Sequence, residues 1–129
     1  MAIAYQEMLE RREHKRFQVQ DDAIAVLRPI IDKRGPIIDI SKGGLAFRYI
    51  TAKESSDLSL KLDILLPDLS FYLGHLPIRT VRDFEVTSEY ALGSTKTRRC
   101  SVQFRKLTQK QISQIESFME NHTRRLATN

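Results

Sequence analysis

Two segments alternate strictly between apolar and polar residues, and this alternation constrains the fold more than any other feature. The sequence SLKLDILLP at positions 59–67 places its leucines and isoleucine on one side of an extended chain and Asp63 on the other. The sequence RCSVQF at positions 99–104 repeats the pattern, with Cys100 on the apolar side. A period of two is typical of a β-strand with one buried face. The chain is therefore predicted to be built on strands.

Other segments extend this β prediction. The stretch 71–86 is rich in β-branched and aromatic residues and contains Gly74 and Pro77, which predicts one long or interrupted strand. Shorter apolar stretches lie at 19–28, 36–41 and 45–49. Together they give about six strands, a number that suits a small antiparallel barrel or a sandwich.

The C-terminal segment changes to a helical period, and we predict a helix over 108–126. Its apolar residues follow a 3.6-residue spacing: Ile112, Ile115, Phe118, Met119 and Leu126. Thr108 is the expected N-cap, and Gln111 completes a T-x-x-Q capping box. Because basic residues do not line the polar face, the stripe indicates a helix packed on the barrel rather than on a membrane surface.

Size and composition restrict the class of protein. The chain has 129 residues, of which 41% are hydrophobic, which is enough for one domain with a buried core. No apolar segment approaches the roughly 20 residues that span a bilayer, and no secretory signal is recognisable. The single cysteine, Cys100, forms no internal disulfide and is expected to be buried. We expect a soluble protein of the cytoplasm, with no metal and no bound cofactor.

The net charge of +5 is unevenly distributed. Residues 1–95 contain 13 Lys/Arg and 14 Asp/Glu, a balance of −1, whereas residues 96–129 contain 8 and 2, a balance of +6. The basic C-terminal part is interpreted as the solvated side of a strand and a helix, with a nucleic-acid-binding surface as the alternative. A second basic cluster contains Arg11, Arg12, Lys15 and Arg16 and is masked by neighbouring glutamates.

No arrangement of residues typical of catalysis is present in the sequence. His14, His75 and His122 are scattered, and there is no C-x-x-C, no H-E-x-x-H and no glycine-rich phosphate loop. We therefore expect a binding protein and not an enzyme.

Two short motifs predict a binding site. Arg12 and Arg16 form an R-x-x-x-R motif just before the first predicted strand. Asp39, Ser41 and Gly44 form a D-x-S-x-x-G motif, in which a strand runs into a glycine turn. If Ile38 and Ile40 face the core, Asp39 and Ser41 project together from the outer wall, about 7 Å apart.

These side chains suit a guanine nucleotide. Arginine offers forked donors that match phosphate oxygens, and its plane stacks on a base. The Asp39 carboxylate would accept from the N–H groups of a guanine edge. A purely local interpretation remains open, in which the arginines form a solvated face and Asp39 and Ser41 bond to the backbone of their own turn.

The two motifs in this order resemble the PilZ domain family, receptors for cyclic di-GMP. The strand ending in LLP, the strand through Val102 and Phe104 and the closing helix extend the resemblance over nearly the whole chain, although Cys100 and Ser101 stand where the family commonly has a glycine. The resemblance implies a six-stranded antiparallel barrel with a C-terminal helix. It further implies ligand-binding roles for the following residues: Arg12 and Arg16 at phosphates and guanine, Asp39 and Ser41 at a guanine edge and a phosphate, and Gly44 in the turn.

The resemblance also yields finer expectations. Arg11, directly before the motif, implies capture of an intercalated pair of ligand molecules. We expect a single domain over 1–129, with an N-terminal arm at 1–16, a barrel at 17–106 and the helix at 108–126. Ligand binding would order the arm, and an effector protein would sense this change, because no output domain is expected in this chain. No nucleic-acid partner and no membrane span are expected. There are two alternatives: a basic barrel that binds nucleic acid, and an adaptor that binds no ligand. The sequence leaves open whether the free protein is a monomer or a homodimer.

Overall fold

The computed structural model describes residues 14–29, 33–51, 61–86 and 95–125. Within them lie eight strands and one helix, in this order: β1 (Phe17–Val19), β2 (Ile24–Arg28), β3 (Arg34–Ser41), β4 (Gly44–Thr51), β5 (Lys61–Leu65), β6 (Tyr72–Glu85), β7 (Lys96–Phe104), α1 (Gln109–His122) and β8 (Thr123–Arg125).

Six of the strands close into an antiparallel barrel. Their order is β2-β5-β6-β7-β4-β3, and the pairing of β2 with β3 completes the circle. The predicted six-stranded barrel is therefore confirmed. Strand β1 pairs with the end of β3, and β8 pairs with β1, so these two short strands extend the sheet beside the barrel. The sequence does not predict them, because three residues are too few to show a period.

The alternating segments supply the core as predicted, with one correction. Leu62 and Ile64 of β5 and Cys100 of β7 are fully buried. Asp63 was expected on the solvated side of β5, yet its exposed fraction is 0%. The expectation failed because Arg28 and Tyr72 cover the outer side of the strand there and bond to the carboxylate.

Strand β3 carries a β-bulge that changes which isoleucines face the core. Ile37 pairs with Phe47 and Asp39 with Ala46, so Ile38 is an extra residue on β3. Ile37 and Ile40 are consequently the core residues, and Ile38 is only partly buried, contrary to the expected Ile38–Ile40 face. A bulge inserts one residue into a period of two and shifts the pattern on one side of it.

Helix α1 closes one end of the barrel. The Thr108–Gln111 capping box is present, with Thr108 Oγ1 accepting from Gln111 N at 3.1 Å and Gln111 Oε1 accepting from Thr108 N at 2.9 Å. Ile115 and Phe118 are buried, whereas Ile112, although on the predicted stripe, is 36% exposed. No helix of the described segments is long and apolar enough to cross a membrane.

The helix ends at His122 and not at position 126 as predicted. Thr123 has an extended conformation, with φ −133° and ψ 162°, and begins β8. The carbonyl of His122 accepts from Gln20 N at 2.8 Å, and β8 continues along β1. The pairing with β1 therefore competes successfully with a last helical turn. Leu126 lies outside the described residues.

Candidate functional site

The sheet brings one arginine of the first motif to the aspartate of the second. Arg16 directly precedes β1, and β1 pairs with β3 so that Gln18 lies opposite Asp39. Arg16 Nη1 is 3.9 Å from Asp39 Oδ2. Strand pairing thus brings together two motifs that are separated by 22 residues in the sequence. Arg11 and Arg12, predicted to share this site, lie outside the described residues.

The glycine turn holds Ser41 by its own backbone. Ser41 Oγ accepts from Gly43 N at 3.1 Å, and its hydroxyl donates weakly to the Gly44 carbonyl at 3.4 Å. Ser41 therefore bonds to the backbone of its own turn, as the local interpretation of the motif predicts. The hydroxyl fixes the turn, which keeps this loop in one conformation beside Asp39.

Gly44 is required by the neighbouring strand. A Cβ added to Gly44 would lie 2.1 Å from the carbonyl oxygen of Val102 on β7, far inside any real contact. Its backbone is not in the left-handed region, so the close approach of β7, and not a special turn conformation, demands a glycine. The expected role of Gly44 in the turn is therefore refined: a glycine is needed here because β7 lies so close.

His14 links the arm to the turn. A Cβ added to Gly43 would lie 2.9 Å from His14 Cδ2, which places the imidazole directly over the turn. His14 stands between the two arginines of the R-x-x-x-R motif. This contact packs His14 against the turn and gives a role to a histidine for which the sequence indicated no site.

Two other aspartates, Asp63 and Asp83, stabilise the fold through hydrogen bonds to their carboxylates. Asp63 accepts from the His75 backbone N–H at 2.9 Å, the Tyr72 hydroxyl at 2.9 Å and Arg28 Nε at 2.8 Å. Burial raises the pKa of Asp63, but these hydrogen bonds outweigh burial and hold the pKa below its ordinary value. The cluster ties β2, β5 and β6 together.

Asp83 on β6 is bonded in the same way. It accepts from the Tyr49 hydroxyl at 2.7 Å, Arg98 Nε at 2.8 Å and Lys33 Nζ at 3.3 Å. Burial raises the pKa of Asp83, and the bonds from Tyr49, Arg98 and Lys33 more than offset it, so the pKa is lowered. The same carboxylate, together with burial, raises the pKa of the Tyr49 phenol.

Asp39 differs from both. Its side chain is only 13% exposed, yet within the described part of the chain no hydrogen bond reaches its carboxylate. It has two ion pairs beyond hydrogen-bond length, to Arg16 at 3.9 Å and to Arg99 Nη2 at 3.5 Å. Among the described residues, the contacts of the Asp39 carboxylate are therefore these two ion pairs.

The sequence did not single out Arg99. Its place on the solvated side of β7 follows from the alternation in RCSVQF, but its distance from Asp39 depends on strand order and register. Asp39 pairs with Ala46 on β4, and Ala46 pairs with Ser101 on β7, two residues from Arg99. Only this tertiary arrangement brings the two residues together.

A groove of about 310 Å³ lies between the turn and α1. Phe17 and Met119 give it an apolar surface, while Lys42, Glu116 and Glu120 form its rim. Lys42 Nζ is 3.7 Å from Glu116 Oε2, so a residue of the turn is paired with the helix. Because Lys42 is paired with Glu116 and Glu120 adds a negative charge, the groove is less suited to phosphate than the outer face of the sheet beside Arg16 and Arg99.

The remaining candidates lie apart from this site. Cys100 is fully buried. Phe118 is fully buried and Phe104 packs against the core, so neither phenylalanine of the basic C-terminal part is a stacking platform. In the segments that the structure describes, no group of three or more His, Cys, Asp or Glu residues could hold a metal ion.

Comparison with known proteins now decides the family. The model of the PilZ domain matches residues 10–121, which include both motifs, the barrel and most of α1. The chain belongs to the PilZ domain family. No curated protein matches it by sequence.

Solved PilZ structures agree in fold. The PilZ domain with c-di-GMP of YcgR from Escherichia coli superposes with a TM-score of 0.65 at 16% identity, covering 87% of this chain and 91% of that one. K. pneumonia MrkH in its apo state gives 0.61 at 16% identity, covering 83% of this chain and 49% of that one. MrkH described as a c-di-GMP-dependent transcription regulatory factor gives 0.59 at 18% identity, covering 86% and 50%. The chain spans about half the length of MrkH.

Proposed function

We propose that this PilZ domain is a receptor for cyclic di-GMP. The observation that carries the proposal is the environment of Asp39: a nearly buried carboxylate that lies 3.9 Å from Arg16 of the R-x-x-x-R motif and 3.5 Å from Arg99. Family membership supports it, as does the presence of c-di-GMP in the PilZ domain of YcgR. We assign the ligand site to the six residues Arg11, Arg12, Arg16, Asp39, Ser41 and Gly44.

Each side chain has a distinct part in the proposed site. Asp39 accepts from the N–H groups of a guanine edge. The guanidinium groups of the arm neutralise phosphates and stack on the bases. The turn fixed by Ser41 and Gly44 offers backbone N–H groups at close range, as anion-binding turns do. Arg11 adds a charge directly before the motif and is assigned to a second, intercalated ligand molecule.

The proposed output is a change in the arm. A ligand bound to both the arm and the turn would fix residues 1–16 against the barrel, and an effector protein would sense the new surface. His14 over Gly43 and the Lys42–Glu116 pair support this route, because they connect the arm to the turn and the turn to α1. Action in the cytoplasm, with no enzymatic activity, remains part of the proposal.

Calorimetric titration tests the proposed ligand. We expect the wild-type chain to bind cyclic di-GMP and to saturate at two ligands per chain, with much weaker binding of GMP. Arg16→Ala removes charge-assisted hydrogen bonds worth roughly 1.5 to 3 kcal/mol each, a loss of roughly 10- to 100-fold in affinity. Lys15→Ala is the matched control, because it removes the same charge from the neighbouring exposed residue.

Three results would contradict parts of this proposal. Equal binding by Arg16→Ala and wild type would remove Arg16 from the site. Saturation at one ligand per chain would exclude the intercalated pair. Binding of single-stranded DNA that falls steeply between two salt concentrations, with no preference for cyclic di-GMP, would favour the basic nucleic-acid-binding barrel instead.

A further inference from the structure

We propose that Arg99 is a further nucleotide-binding residue, which reads the O6 and N7 acceptors of the guanine whose N–H edge binds Asp39. This inference rests on the proposed function, since it assumes that a guanine lies at Asp39. It extends the site from the arm and the turn onto β7, a strand that neither motif includes.

Arg99 is directed towards Asp39 by the sheet. It lies on the outer face of β7, directly opposite Arg48 of β4. Two like charges directly opposite each other are unfavourable, and the Asp39 carboxylate, 3.5 Å from Arg99 Nη2, provides an opposite charge for Arg99. Its side chain is 29% exposed, so the guanidinium remains accessible to a ligand.

A small residue lets Arg99 reach this far. Strand β4 lies between β7 and β3, and Ala46 is the β4 residue paired with Asp39. Ala46 is 1% exposed, yet it is not part of the core cluster. It therefore lies on the outer face beneath neighbouring side chains, and its methyl group leaves room for the Arg99 side chain to cross β4.

Of the two arginines beside Asp39, Arg99 is better placed to remain in contact with the guanine base. Arg16 is at 3.9 Å and 47% exposed, and it belongs to the arm that binds phosphates in the proposed site. Arg99 is closer, less exposed and anchored in the middle of a nine-residue strand. When a ligand enters, Arg16 can move to a phosphate while Arg99 keeps the carboxylate neutralised.

The chemistry of guanine matches an adjacent carboxylate and guanidinium. Guanine presents N–H donors on one edge and the acceptors O6 and N7 on the next, and an arginine fork on O6 and N7 is the commonest specific contact to this base. Adenine has an amino donor where guanine has O6, so Arg99 would meet a donor there. Asp39 and Arg99 together therefore select guanine over adenine.

The test compares two ligands and four proteins. The ligands are cyclic di-GMP and its analogue with 7-deazaguanine bases, which lacks only the N7 acceptor. The proteins are wild type, Arg99→Gln, Arg99→Lys and Lys96→Gln. Lys96 is the matched control because it lies on the same strand, is exposed, and pairs with Thr51 far from Asp39. Thermal unfolding of each variant establishes that it is folded.

We expect Arg99→Gln to lower cyclic di-GMP affinity by roughly 10-fold or more, and Lys96→Gln to change it by about twofold at most. Wild type should prefer cyclic di-GMP to the deaza analogue, and this preference should vanish in Arg99→Gln. Arg99→Lys keeps the charge without the fork, so its preference should be reduced as well.

The outcomes separate this inference from the proposed function. If wild type binds cyclic di-GMP but shows no preference over the deaza analogue, or if Arg99→Gln keeps the same preference, the role of Arg99 is overturned and the receptor proposal stands. If wild type binds neither ligand, the receptor proposal fails and the inference fails with it.

Discussion

At the scale of single residues, hydrogen bonding distinguishes two aspartates that stabilise the fold from Asp39, which we propose contacts the ligand. Asp63 and Asp83 each accept three hydrogen bonds from groups far apart in the sequence. Asp39, whose exposure lies between those of Asp63 and Asp83, has only long ion pairs among the described residues. The carboxylates of Asp63 and Asp83 are thus used to join strands, whereas the ion pairs of Asp39 are compatible with the proposed contact to guanine N–H groups.

The bonded aspartates predict loss of stability in acid. Because the folded-state pKa of Asp63 lies below the unfolded value of about 3.9, its stabilisation is present above that pH and is lost as the pH falls towards the folded pKa. Asp83 acts in the same direction. Urea unfolding should give a lower free energy of unfolding at pH 3 than at pH 7.

Asp63→Asn isolates one contribution to this acid effect. At pH 7 it should lower the free energy of unfolding by about 1 to 3 kcal/mol and make the pH dependence shallower, because asparagine does not titrate. The exposed Asp22→Asn is the control and should change stability by less than about 0.5 kcal/mol. An unchanged acid slope in Asp63→Asn would show that Asp63 does not contribute.

At the scale of elements, the turn between β3 and β4 connects three parts of the site. Its glycines serve two different neighbours: Gly44 makes room for the β7 backbone, and Gly43 makes room for His14 of the arm. Lys42, between Ser41 and Gly43, pairs with α1. One four-residue connection therefore touches the barrel, the arm and the helix.

Alanine at the two glycines should have different effects. Gly44→Ala forces β4 and β7 apart and should lower the free energy of unfolding by roughly 1 to 3 kcal/mol, as overpacking does. Gly43→Ala meets only the end of a histidine side chain, which can rotate, so stability should change by less than about 0.5 kcal/mol while cyclic di-GMP affinity falls. Urea unfolding and calorimetry measure the two quantities. Equal destabilisation by both variants would contradict this assignment.

At the scale of the whole molecule, the sheet connects Arg16 to β8 and to the end of α1. Strand β1 follows Arg16 and pairs with both β3 and β8. Strand β8 continues directly from α1, and Asp21, just after β1, bonds to His122 at the end of the helix, with 2.9 Å between Asp21 Oδ2 and His122 Nδ1. A ligand that fixes Arg16 therefore acts on a short sheet that includes the C-terminal element.

Hydrogen exchange tests this connection. Saturating cyclic di-GMP should slow amide exchange in β1, β8 and the last turns of α1, because opening of β1 would then require release of the ligand. Amides shared by β2 and β5, on the far side of the barrel, serve as the internal control. Slowing of equal size in both regions would indicate global stabilisation and would contradict a local route to the C-terminus.

The local pattern of apolar and polar residues was enough to predict much of the secondary structure from the sequence alone. Period two identified β5 and β7, the change to a 3.6-residue period identified α1, and Thr108 with Gln111 identified where the helix begins. The same patterns failed where one residue is inserted, as at Ile38, or where an element is too short to show a period, as in β8. Asp63 was expected to be solvated, yet it is buried on the outer side of β5 because residues distant in the sequence cover it and bond to it.

Only the tertiary structure determined which residues of the two motifs lie close together. The sequence identified Arg16, Asp39, Ser41 and Gly44 as candidates, but each motif by itself also fits a solvated face or a local turn. Strand pairing brought Arg16 to Asp39, and the register of β3, β4 and β7 added Arg99, which no local signal could connect to the site. Contacts between strands depend on how the barrel closes, and closure is a property of all six strands together and not of any one segment.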